Sequence, residues 1–292
     1  MHLVRFTRKP GTVEVAVVTE SGMALLPDAP SASSLLRLSS AQLRVTLDAA
    51  ALHGERIDPE GIRLLAPVDG RTEVWAAGVT FERSRVARVE ESGQASVYDT
   101  VYDADRPELF FKAPAWRVVT DGEPAGIRAD AENSVPEPEV ALLINSAAEI
   151  VGATICDDLT ARSIEGGNPL YLPQAKMYAG SCVLGARVRP WWEIADPYAL
   201  DVTMRITRGD NEVFTGSSST ARLHRRFDEL VSWLFRQEQF PDGVVLSTGT
   251  GIVPPLDLGL RPGDVIDIRI SELGAISHPV RNDTAAFGWL AR

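Results

Sequence analysis

Apolar residues in this chain recur in short runs separated by turn chemistry, and most runs have the length of strands. Residues 3–7 and 13–19 read as two strands, with Lys9-Pro10-Gly11 supplying the turn between them. Across 34–53, Leu35, Leu36, Leu38, Leu43, Leu47 and Ala51 alternate with polar positions, which predicts one or two short helices. Residues 62–67 form a further expected strand, and Val68-Asp69-Gly70-Arg71 breaks the pattern. That break marks the expected boundary between a small N-terminal domain, residues 1–69, and a larger one, residues 70–292.

Beyond the break, 74–79 is apolar enough for a buried strand, whereas 81–91 is charged and suits a solvated helix. Strand-like runs return at 140–144, 150–156, 202–207, 244–247 and 265–270, and Arg208-Gly209-Asp210-Asn211 fits a hairpin turn. One helix stands out. Phe227, Leu230, Val231, Leu234 and Phe235 fall at i, i+3, i+4, i+7 and i+8, the stripe of a core-facing helix. Strands dominate without a regular βαβ alternation, so the expected class is β-rich α+β with a mixed sheet.

Composition narrows the function. At 292 residues the chain can bury a large core without disulfides or structural zinc. Its 29 basic and 40 acidic residues give a net charge of −11, and the basic ones are scattered. That balance disfavours nucleic acid or an anionic membrane as the main partner. The only cysteines, Cys156 and Cys182, form no CxxC or Cys/His cluster. Neither a signal-peptide run nor a stretch of membrane-spanning length is visible, so the expected location is cytoplasmic.

The candidate chemistry begins at Val135-Pro136-Glu137-Pro138-Glu139. Proline biases the preceding residue towards extended backbone, which places Glu137 and Glu139 on one face of a stiff segment. Lacking a donor, the prolines put this piece at a strand start or a sheet edge. Paired carboxylates repel unless a cation lies between them, and a third acid follows where the run 150–156 ends in Asp157-Asp158. Oxygen donors of this kind suit Mg²⁺, Mn²⁺ or Ca²⁺. Spacing alone also allows Glu-x-Glu to be a solvated face and Asp157-Asp158 to cap a helix near Leu159.

Taken in order, Glu137-Pro138-Glu139, Asp158-Leu159-Thr160-Ala161-Arg162, Lys176, Ser247-Thr248-Gly249-Thr250-Gly251 and Leu260-Arg261-Pro262-Gly263-Asp264 resemble the motifs of the fumarylacetoacetate hydrolase superfamily. The resemblance covers about residues 70–280. It implies a mixed β-sheet roll preceded by a small α/β domain, and a homodimer or higher homo-oligomer. It also implies a divalent metal, Mg²⁺ first, on Glu137, Glu139 and Asp158. Lys176 is then expected to bind keto or carboxylate oxygens of a 2-oxo acid, and Thr250, in its loop with Gly249, the substrate carboxylate.

One departure redirects the chemistry. Superfamily hydrolases carry a His and a Glu that activate water, but aligned on Gly78-Val79-Thr80-Phe81 this chain has Ser84 and Ala87 at those places. Loss of such a base costs roughly 10² to 10⁴ in rate. Residues 78–85, 106–112 and 163–176 resemble instead the branch of 2-keto-3-deoxy-D-arabinonate dehydratases. That resemblance implies loss of water from a 2-keto-3-deoxy sugar acid to give 2,5-dioxopentanoate. Glu82 is the first candidate acid/base, followed by Glu108 and Glu91, and Arg83, Arg85 or Lys112 could hold hydroxyls or the carboxylate. The competing readings are a C–C hydrolase or decarboxylase of acylpyruvates or oxaloacetate, and a non-catalytic 2-oxo acid binder.

Overall fold

The computed structural model describes residues 1–9, 11–26, 29, 31–91 and 100–291. Pro10 of the first predicted turn and the Glu91 side chain lie outside the described residues. The chain opens with β1 (His2–Lys9), β2 (Thr12–Thr19) and β3 (Gly22–Leu25), an antiparallel meander. The stretch read as one or two helices is two: α1 (Ala32–Leu35) and the 14-residue α2 (Ser40–His53). Ser39 and Gln42 close α2 with a reciprocal capping box, which fixes where that helix starts. Short strands β4 (Arg56–Ile57) and β5 (Arg63–Leu65) complete this part.

β6 (Glu73–Gly78), α3 (Glu82–Glu91) and β7 (Glu108–Pro114) follow, and β8 (Val119–Thr120) and β9 (Ala125–Gly126) are brief. β10 (Pro138–Ile144) and β11 (Ile150–Asp158) form a hairpin whose residues are almost all buried. Two short helices, α4 (Arg162–Gly167) and α5 (Leu172–Lys176), lead to β12 (Cys182–Leu184) and β13 (Arg187–Pro190). The predicted hairpin is β14 (Asp201–Arg208) and β15 (Asn211–Ser219), with Gly209 at φ 59° between the paired Arg208 and Asn211. α6 (Phe227–Leu234) buries Phe227, Leu230, Val231 and Leu234, the predicted stripe. β16 (Val244–Thr250), β17 (Val265–Ile270) and β18 (Gly274–Arg281) follow, and a 3-10 helix spans Thr284–Ala291.

Among the described residues the strands make two sheets, and the architecture is the β-rich α+β class expected. The long sheet runs β4-β3-β2-β1-β13-β11-β10-β16-β6-β7, and the five-stranded one runs β15-β14-β17-β18-β9. Antiparallel pairing of β1 with β13 carries the long sheet across the boundary suggested at residue 69. Alternation along β10 and β11 sorts the core. Val140, Leu142, Ile144, Ala153 and Ile155 pack against Met204, Ile266, Ile268 and Ile276 of the second sheet. Ala141, Leu143 and Cys156 face the other way, towards Val15, Val17, Leu43 and Leu47. Among the described residues, no helix is long and apolar enough to cross a membrane.

Candidate metal centre

The two prolines act as expected. Pro138 is the first residue of β10, where its missing N–H costs no ladder bond, and Val135 bridges Thr160 just outside the strand. β10 then lies centrally between β11 and β16 rather than at an edge. Asp157 and Asp158 end β11 and cap no helix, since α4 begins at Arg162 after Ala161. Glu137, Glu139 and Asp158 are buried, and one carboxylate oxygen from each lies within 4.8 Å of the other two.

Three buried cations surround them. Lys176 Nζ donates to Asp158 Oδ2 at 2.7 Å and to Glu137 Oε2. Arg162 spans Glu137 Oε1 at 2.5 Å and Glu165 Oε2 at 2.6 Å. Lys112, wholly buried, donates to the carbonyls of Lys176 at 2.7 Å and Leu159 at 3.0 Å. Its Nζ also lies 2.5 Å from Asp158 Oδ1, a close ion contact without hydrogen-bond alignment. By formal charge, Glu137, Glu139, Asp158 and Glu165 outnumber Lys112, Arg162 and Lys176 by one in a buried site. Burial, reinforced by Asp158 and Glu137, holds the Glu139 carboxyl well above the usual carboxylate range. A divalent cation would reverse that pressure. The donors, all oxygen and all convergent, fit a hard ion of the Mg²⁺ type.

Glu139 owes its place to an irregularity in β16. The ladder pairs Glu139 with Thr250 and Ala141 with Ser247, so β16 carries one extra residue there. Side chains of β16 reach carbonyls of β10 there: Thr248 Oγ1 donates to Val140 O at 2.8 Å and Thr250 Oγ1 to Pro138 O at 2.9 Å. Ser247 Oγ and Gly249 N then both donate to Glu139 Oε2, at 2.6 and 2.7 Å. Gly249 stands at φ 91°, and a Cβ there would fall 1.9 Å from Thr80 Oγ1.

The remaining predicted residues divide by position. Glu108 and Phe110 share a face of β7, and the Phe110 ring centroid is 5.3 Å from Lys176 Nζ; Lys112, the extra residue where the β6–β7 register shifts, touches Asp158. Its carboxylate lies over Gly78, where a Cβ would come within 2.0 Å of Glu108 Oε2. The arrangement therefore puts Glu108 on the centre's side of the sheet. Glu82, by contrast, begins α3 with a side chain 74% exposed, 3.7 Å from Arg85. With Arg83, Tyr102, Ser218, Arg222 and Gly251 it lines a half-open cavity of about 560 Å³. Ser84 is buried and bonded to the Phe81 backbone, and Ala87 is buried, so neither offers a water-activating group.

Two of the expected substrate-binding residues, Lys112 and Thr250, are engaged within the protein in this structure. Lys112 spends its donors on Asp158 and two backbone carbonyls, and Thr250 spends its hydroxyl on Pro138 O. Both hold the centre in shape in this structure. Sequence reasoning missed the roles of Glu165 and Ser247, and an Asp157–His278 contact at 2.8 Å. None of these pairs has a spacing signal except Arg162 and Glu165, three apart on a helix.

Comparison with known proteins agrees with this geometry. A family described as "Fumarylacetoacetate (FAA) hydrolase C-terminal" matches residues 74–281. The chain is 43% identical over 224 residues to a 2-dehydro-3-deoxy-D-arabinonate dehydratase of Saccharolobus solfataricus, covering 75% of each. It is 44% identical over 214 residues to a probable 2-keto-3-deoxyxylonate dehydratase of Haloferax volcanii, covering 73% of each. A solved structure titled 2-keto-3-deoxy-D-arabinonate dehydratase complexed with magnesium and 2,5-dioxopentanoate superposes with a TM-score of 0.84 at 34% identity. That superposition covers 97% of this chain and 99% of the other. With the motifs, the fold and the carboxylate centre in agreement, the chain belongs to the fumarylacetoacetate hydrolase family.

Proposed function

We infer that this protein is a Mg²⁺-dependent dehydratase that removes water from a 2-keto-3-deoxy sugar acid of the arabinonate type, giving 2,5-dioxopentanoate. The observation that carries the reading is the buried triad Glu137, Glu139 and Asp158 with Lys176 against it, in a chain 43% identical to a dehydratase of that substrate. When bound, the ion supplies Lewis-acid polarisation of the substrate's 2-keto group. Glu137, Glu139 and Asp158 hold it, and the residual negative charge of the cluster matches one divalent cation plus a monoanionic substrate.

Lys176 gives its ammonium to the oxygen that gains charge as the C3 proton leaves. Glu108 takes that proton, because it shares the face of β7 that carries Phe110 to the centre. The C4–O bond then breaks, and the C4 hydroxyl departs with a proton as water. Tautomerisation turns the C5 carbinol into an aldehyde. The cavity beside Gly251 gives the hydroxylated tail its room, with Glu82, Arg83 and Arg222 at its wall. Glu82 is the candidate there for protonating the leaving hydroxyl.

The test is direct. Protein with Mg²⁺ is incubated separately with 2-keto-3-deoxy-D-arabinonate, an acylpyruvate and oxaloacetate, while aldehyde, pyruvate and CO₂ are followed. Formation of 2,5-dioxopentanoate that stops on chelation is the expected result. Pyruvate or CO₂ release without any dioxopentanoate would overturn the assignment.

A further inference from the structure

Asp157 stands next to the ligand Asp158 but points to the opposite face of β11, into the core between the two sheets. There it is wholly buried, as is His278 of β18, and the two side chains meet at 2.8 Å between Oδ2 and Nε2. The other carboxylate oxygen, Oδ1, accepts the backbone N–H of Glu137 at 2.8 Å. His278 Nδ1 makes no hydrogen bond among the described residues, so the ring's one anchor is Asp157. A buried polar pair is costly to place, and a hydrocarbon pair would fill the same space. Its contacts explain why it is here. Asp157 ties β11 to the residue that starts the Glu-Pro-Glu segment, while His278 ties Asp157 to the second sheet.

We propose that Asp157 and His278 form a positioning pair that sets the separation of the Glu137 and Asp158 ligands, so that one dipeptide, Asp157-Asp158, supplies a ligand and aims another. The claim rests on the reading of the triad as a Mg²⁺ site. Partners one step removed from a metal commonly change its affinity 10- to 100-fold when replaced. Neither side chain touches the metal or the substrate. Each acts through the backbone of Glu137 or through the other.

The experiment measures Mg²⁺ affinity by calorimetric titration and the thermal midpoint of the metal-free protein for wild type, Asp157→Ala, Asp157→Asn and His278→Ala. Asp157→Ala weakens Mg²⁺ binding by about 10- to 100-fold. Asp157→Asn, which keeps an acceptor for the Glu137 N–H, restores affinity to within about 3-fold of wild type. His278→Ala leaves that acceptor but frees it from the second sheet, and gives an intermediate loss. Should Asp157→Ala not fold, the His278→Ala titration reads the same quantity. A lowered midpoint with unchanged Mg²⁺ affinity in the folded variants would show a merely structural pair and overturn the proposal. Failure of the wild type to bind Mg²⁺ would instead bring down the metal reading itself, and this inference with it.

Discussion

Glu139 and Glu82 both stand near the start of an element, one a strand and the other a helix, yet they occupy opposite physical situations. Glu139 is buried, accepts a hydroxyl and a backbone N–H on one oxygen, and sits in the field of two further carboxylates. Glu82 starts a helix with most of its carboxylate in water and an arginine one turn away. The contrast teaches that a carboxylate is left short of positive charge, and so suited to a cation, when the fold takes water from it and gives it too few cationic partners in return. An exposed carboxylate beside an arginine feels no such deficit, since water and the guanidinium already meet its needs.

Substitutions can break that comparison. Asp158→Ala removes a proposed ligand and a partner of Lys112 and Lys176, and should abolish measurable Mg²⁺ binding. Turnover should fall by roughly 10³-fold or more, the equivalent of about 4 kcal/mol. Wild-type rates in this variant would remove the metal assignment. Lys112→Met should act on the fold first: a buried carboxylate and two carbonyls lose their ammonium, at a cost of about 3–5 kcal/mol. Denaturant titration with and without Mg²⁺ checks it, and the added ion should recover part of the loss because it also faces Asp158.

Smaller effects sharpen the contrast between the two sides of the site. Glu108→Gln should leave Mg²⁺ affinity near wild type and slow dehydration about 10²-fold. Glu82→Gln, in the open cavity, should cost less than about 10-fold in kcat. Reversal of that order in steady-state kinetics would exchange their roles. The smallest effect lies far from the centre. Burial, with Arg189 adding to it, lowers the His2 pKa to about 4. A histidine pushed below its unfolded value stabilises the fold above about pH 6.5 and loses that contribution as pH falls towards 4. His2→Gln should flatten the acid limb of a stability–pH curve between those values and leave the Mg²⁺ titration unchanged.

Much of this was legible in the residues. Strand cores such as 140–144 and 265–270, and the stripe on α6, follow directly from periodicity. Glu137 and Glu139 share a face because proline and the two-residue repeat of a strand leave little choice. What the pattern could not carry was register across long separations. Lys112 reaches Asp158 over 46 residues and His278 reaches Asp157 over 121, and each contact depends on which strands lie side by side. Lys112 therefore looks like any polar lysine at the end of an apolar run until β6, β7, β16 and β10 are placed in order. The extra residue in β16 was hidden for a similar reason, since a bulge exists only relative to its partner strand.

Gly249 makes the floor and the rim of the site mechanically one piece. Its amide grips Glu139, while the space a side chain would need is filled by the hydroxyl of Thr80, four residues upstream of Ser84 on the segment that leads into α3. Even an added methyl there would push against that segment as well as strain the loop, so the segment leading into α3 cannot drift independently of Glu139. Variation in substrate preference within such a scaffold would have to come from side chains on the wall, with the hinge-free seam beneath left untouched.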